Sequence, residues 1–142
     1  MFDPSREEAR RFLFEAWRKQ GERSVLTDLE AMACDHIQRH PEYHALLAAP
    51  DANLERDWLP ENGETNPFLH LMMHLSITEQ LSIDQPIGIR SRYVALVQKL
   101  GDEHRAQHEI MDCLAEMIWT GQRYGTPPDG AAYLACIEEK SR

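Results

Sequence analysis

Two pairs of histidines in this chain have the spacing of metal ligands on a helix: His70 with His74, and His104 with His108. Residues at i and i+4 project from one helical face, so each pair can offer two imidazole nitrogens to one ion or to one polar cluster. The first pair lies in the apolar run NPFLHLMMHLSITEQ, Asn66 to Gln80, and the second in GDEHRAQHEIMD, Gly101 to Asp112. Each pair continues in phase into apolar positions, Ile77 and Leu81 after the first and Met111 and Ala115 after the second, so the rings should point inward. Desolvation and the positive end of a helix dipole both favour neutral imidazole, the form that binds metal. Such a set suits a divalent transition metal: zinc, iron, nickel or manganese. Glu79, Asp84 and Glu103 are placed by helix phase as outer partners at most.

A third group, Cys34, Asp35, His36, His40 and His44, places two more histidines one turn apart, and its phase is not set by the pattern. Inward histidines near helix starts have a structural use as well. They cap amides, pair with carboxylates or hydrogen-bond one another. Other catalytic templates are absent: the chain has no Gly-rich phosphate loop and no Gly-x-Ser-x-Gly elbow. Cys113 follows His104 by nine residues and faces another helical side, which makes it a buried structural thiol rather than a nucleophile.

The elements that must position these residues are helices. Pro4 suits an opening turn, Ser5 and Glu8 have capping-box spacing, and Phe12, Leu13, Ala16 and Trp17 form a stripe, giving a first helix over Pro4 to Gln20. Thr27 with Glu30 opens a second helix, which stops at His40 because Pro41 disfavours a helical residue before it. Glu42 to Trp58 reads as two brief helical pieces punctuated by Pro50, followed by a polar loop from Leu59 to Thr65 with Pro60, Asn62 and Gly63. Asn66 followed by Pro67 starts the histidine helix, 67–82, and Asp84 to Gly88 breaks it. Ile89 to Leu100 forms a shorter helix ending at Gly101. Asp102 then caps a long helix over 102–123, with Met111, Leu114, Ala115, Ile118 and Trp119 inward, and a last helix follows Asp129. The expected class is all-α, a single-domain helical bundle of five to seven helices, some short, over residues 1–142. The short spacer helix implies that the helices before and after it run parallel, which would bring His70, His74, His104 and His108 to one level.

Composition narrows the function classes. The chain has 142 residues, with 15 Lys and Arg against 24 Asp and Glu, for a net charge of -9. That acidity excludes a generic phosphate-backbone binder, so no nucleic-acid partner is expected. The apolar stretches fall short of the roughly 20 residues of a membrane span, and the first residues carry no apolar signal region. Cys34, Cys113 and Cys136 lie far apart and leave an odd thiol in any pairing, so reduced thiols and a cytoplasmic location are the simpler expectation.

The segments NPFLHLMMHLSITEQLSIDQPIGIR and GDEHRAQHEIMDCLAEMIWTGQRYGTPPD, with the opening MFDPSREEARRFLFEAW, resemble a family of small bacterial proteins known only as a domain of unknown function. That resemblance covers nearly the whole chain and implies no activity. A looser likeness, through histidines on bundle helices, is to hemerythrin-like and DinB-like metal proteins. It departs from them in lacking carboxylates at helical spacing for a di-iron centre, which points to a mononuclear site between helices 67–82 and 102–123. The alternative is a non-enzymatic protein-interaction or regulatory module with structural histidines. Catalysis and oligomeric state are left open.

Overall fold

Side chains just ahead of the helices decide where the backbone turns helical. Five helices begin with an oxygen accepting a backbone N–H that has no partner inside the helix. Ser5 Oγ accepts from Glu8 at 3.2 Å and opens α1 (Arg6–Gly21). Thr27 and Glu30 form the reciprocal capping box of α2 (Asp28–Gln38), at 3.1 and 2.9 Å. Asn66 Oδ1 accepts from Phe68 and Leu69 at the start of α5 (Pro67–Ile83). Asp102 accepts from His104 at 3.0 Å to open α7 (Glu103–Tyr124), and Asp129 accepts from Ala132 at 3.1 Å to open α8 (Gly130–Lys140). Between them lie a 3-10 turn (Pro41–Tyr43), two single-turn helices, α3 (His44–Leu47) and α4 (Pro50–Asn53), and α6 (Ile89–Leu100).

This computed structural model describes residues 5–59 and 63–142. Among them there are eight α-helices and no strand, and the class is all-α as expected. Pro4, Pro60 and Asn62, to which the sequence assigns an opening turn and a loop, lie outside the described residues. No helix among the described residues is long and apolar enough to cross a membrane.

The chain divides into two compact units, Met1–Leu75 and Ser76–Arg142, with α5 beginning in the first and ending in the second. The first is built on Leu13, Phe14, Ala33, Ile37, Leu47, Phe68, Leu71 and Leu75. Its largest buried polar side chain is Arg10, 1% exposed. One nitrogen, Nη1, donates to the carbonyls of Asn53, Leu54 and Arg56 at 3.2, 2.9 and 2.7 Å, which fastens the segment after α4 to α1. The same guanidinium lies over the rings of Trp58 and Phe68, at 5.3 and 4.6 Å from their centroids.

In the second unit α6, α7 and α8 pack on one another. They bury Ile89, Leu96, Ile110, Met111, Leu114, Tyr133 and Ile137, and Tyr133 donates its hydroxyl to Gln80 at 2.7 Å. Asp84, at φ 52°, ends the histidine helix, and its carboxylate accepts from Gly88 and Arg90. Those backbone donors, that of Arg90 foremost, hold the Asp84 carboxyl below the usual carboxylate range.

Two expectations need correcting here. Ala115, Ile118 and Trp119 are exposed, Trp119 at 56%. The inward stripe of α7 runs through Ala106, Ile110, Cys113 and Met117, and Ala115 and Trp119 each stand two residues, about 200°, from its members. The cysteines are not all thiols: Cys113 of α7 and Cys136 of α8 form a disulfide with Cα atoms 5.8 Å apart, leaving Cys34 as the free one. Wide sequence spacing is no obstacle once two antiparallel helices face each other, because the bond needs only a Cα separation of about 4.4–6.8 Å.

Candidate metal centre

The histidine group of the first unit grows out of the end of α2. Pro41 stops that helix, so its last carbonyls have no backbone partner four residues on. The carbonyl of His36 accepts the Arg39 N–H at 3.1 Å, and His40 Nδ1 reaches the same oxygen at 2.7 Å. The carbonyl of Ile37 likewise accepts the His40 N–H at 3.0 Å, and His44 Nε2 meets it at 2.9 Å. A carbonyl oxygen can only accept, so the proton of His40 sits on Nδ1 and that of His44 on Nε2. In its neutral form His40 therefore carries a lone pair on Nε2, with the other nitrogen oriented by a backbone carbonyl. Metal-binding histidines are held in the same way.

That Nε2 faces the Nε2 of His70 at 3.2 Å. The distance fits a hydrogen bond donated by His70. It also matches the edge between two ligands of one tetrahedral ion, about 3.3 Å for metal–nitrogen bonds of about 2.0–2.1 Å. His74, fully buried, stands one turn beyond His70, with its ring centroid 5.0 Å from that of His40 and 4.8 Å from that of His70. Ring nitrogens of His40 and His74 lie within 4.8 Å of each other. His36 stacks on His74, centroids 4.7 Å apart at 19°, and Tyr43 stacks on His40 at 5.3 Å. Burial raises the Tyr43 phenol above its ordinary value and so keeps it protonated.

The remaining members of the sequence-defined groups have other work. His44 packs against Trp17, centroids 4.6 Å apart. Cys34 donates to the Ala16 carbonyl at 3.3 Å, and burial pushes its thiol up to about 11, so it stays protonated. The Asp35 side chain is 64% exposed and pairs with Arg39 at 4.0 Å. Asp84 is spent on the turn after α5. In the second unit His104 and His108 occupy the first two turns of α7, half-buried, with ring centroids 4.3 Å apart and ring nitrogens within 4.8 Å.

The i,i+4 pairs are thus formed as the spacing requires, whereas the partnership of His36 and His40 with the α5 pair is not contained in that spacing. A signal for it exists in the sequence: His36 and His40 follow Ala33 at three and seven residues, in step with the apolar stripe of α2. The dipoles acting on the group are of opposite sign. The first turns of α5 bring a partial positive charge to His70 and His74, and the end of α2 brings a partial negative charge to His40, which favours a cation.

A family model described as a domain of unknown function, DUF1841, matches residues 5–139. The chain belongs to that family. No curated protein and no solved structure matches the chain. The DUF1841 match covers both units and every histidine of the chain.

Proposed function

We propose that this chain binds a divalent transition metal through imidazoles, with His40, His70 and His74 as ligands in the first unit and His104 and His108 as a candidate ligand pair in the second. The observation that carries this reading is His40: its Nδ1–H is fixed on a carbonyl, and its Nε2 lies 3.2 Å from that of His70, the separation of two ligands on one ion. Imidazole donors accommodate zinc, iron or nickel, and manganese where carboxylate or water completes the shell. The assignment of His104 and His108 rests on their repeated spacing and inward phase. The centre is mononuclear in this reading, its ligands being imidazoles rather than bridging carboxylates. No catalytic group is assigned.

The 3.2 Å contact also favours a second reading, because a hydrogen bond satisfies it without metal. In that reading the histidines are a structural network and the chain is an interaction module. Metal analysis of protein purified without an affinity tag separates the two. Stoichiometric metal that is lost in a His70→Ala, His104→Ala double variant supports the metal centre. Folded protein that is metal-free and takes up none of zinc, iron, nickel or manganese overturns it.

A further inference from the structure

The Cys113–Cys136 disulfide borders a cleft of about 360 Å³ between α7 and α8 that the metal reading does not use. Cys113 is 1% exposed, whereas Cys136 is half-buried, and both line the cleft. Thiol–disulfide exchange proceeds by attack of a thiolate on one sulfur, with the other leaving, so access decides which sulfur is attacked. The cleft also carries the carboxylates of Glu116 and Asp129 and the hydroxyl of Thr120. Asp129 accepts a hydrogen bond from the Ala132 N–H as the cap of α8.

We propose that this disulfide is a thiol-exchange site for small neutral or cationic thiols, reacting at Cys136. The incoming thiol loses its proton and forms a sulfur–sulfur bond to Cys136 Sγ. The Cys113–Cys136 bond breaks, and Cys113 leaves as a thiolate that takes up the proton. The product is a mixed disulfide on Cys136 and a thiol at Cys113. Attack by Cys113 on Cys136 reverses the step, and a second small thiol instead releases the small-molecule disulfide and completes a two-electron reduction. Glu116 and Asp129 set the selectivity, because they repel an anionic substituent and attract an ammonium.

The test follows exchange with cysteamine, 2-mercaptoethanol and 2-mercaptoethanesulfonate by acid quenching, alkylation and peptide mass mapping, with rates normalised to each thiol's thiolate fraction. The mixed disulfide should map to Cys136. Cysteamine should outpace the sulfonate by about three- to tenfold at low salt, and the ratio should fall towards one in about 1 M salt. Glu116→Gln should shrink the ratio without moving the site of attack. Cys113→Ser and Cys136→Ser each leave one thiol of the pair beside the buried Cys34, so their reaction with cystamine, mapped by peptide, gives a second readout: Cys136 should react at least about tenfold faster than Cys113. Mapping to Cys113, equal rates for the three thiols at low salt, or resistance to all three until denaturant is added would each overturn the proposal.

Discussion

His40→Ala separates what the histidine group contributes to folding from what it contributes to metal binding. In metal-free protein the substitution removes the 2.7 Å bond to the His36 carbonyl and the ring packed on Tyr43, His70 and His74. The carbonyl keeps the Arg39 N–H, so no acceptor is stranded, and the expected loss is about 2–4 kcal/mol from that hydrogen bond, the one His70 donates to the ring, and a partly collapsed cavity. The metal contribution is separate. Free zinc at roughly 100 times its Kd stabilises the protein that binds it by about 2.7 kcal/mol, which for a chain of this length raises Tm by about 10 °C. His44→Ala is the matched control: it removes a carbonyl bond of 2.9 Å and a ring packed on Trp17, yet no ligand of the proposed centre. Thermal melts of the three proteins, with chelator and with zinc, should show lowered apo Tm values for both variants. The zinc-induced rise should survive in His44→Ala and be lost in His40→Ala. A full rise in His40→Ala, or none in the unmodified protein with any of the four metals, would refute the reasoning.

Three further outcomes are expected. Arg10→Met should cost about 2–4 kcal/mol in urea unfolding, because it strands the carbonyls of Asn53 and Leu54, while that of Arg56 keeps the Arg6 guanidinium; a loss below about 1 kcal/mol would show that water replaces it. The Thr27 N–H, foremost, and Lys19 hold the buried Glu30 carboxyl below the usual carboxylate range. Its stabilising effect is therefore present above the unfolded-state pKa and is lost as pH falls through the lower folded-state value. Glu30→Gln should be less stable by about 1 kcal/mol at neutral pH, with the gap to the unmodified protein closing in urea titrations near pH 3. Cys136→Ser should lower stability by about 3 kcal/mol, the loop-closure value for a 23-residue separation, and should abolish any effect of reductant on the midpoint.

Helix starts were legible in the sequence because each carries its own local chemistry. Ser5, Thr27, Asn66, Asp102 and Asp129 all act as caps where the residue pattern puts them. Helix faces were less so. Ile118 and Trp119 are apolar and in rough helical phase, but which face of α7 is covered depends on where α6 and α8 lie, and single-helix periodicity does not contain that. The histidine pairs were evident from spacing alone. Their enlargement by His36 and His40 was not, because it depends on α2 and α5 lying side by side. The disulfide has the same cause: Cys113 and Cys136 meet only through the packing of α7 on α8.

Pro41 offers no ligand atom and touches none of the chemistry, yet the protonation pattern of two imidazoles depends on it. By ending α2 it frees the carbonyls of His36 and Ile37, and those two oxygens then dictate which nitrogen of His40 and of His44 keeps its proton. Extending the helix by one turn would give both carbonyls ordinary backbone donors and release the rings to choose their tautomers. A residue selected by backbone geometry thereby acts as a proton-bookkeeping device, and variation at this position should be read as a change in donor chemistry before it is read as a change in fold.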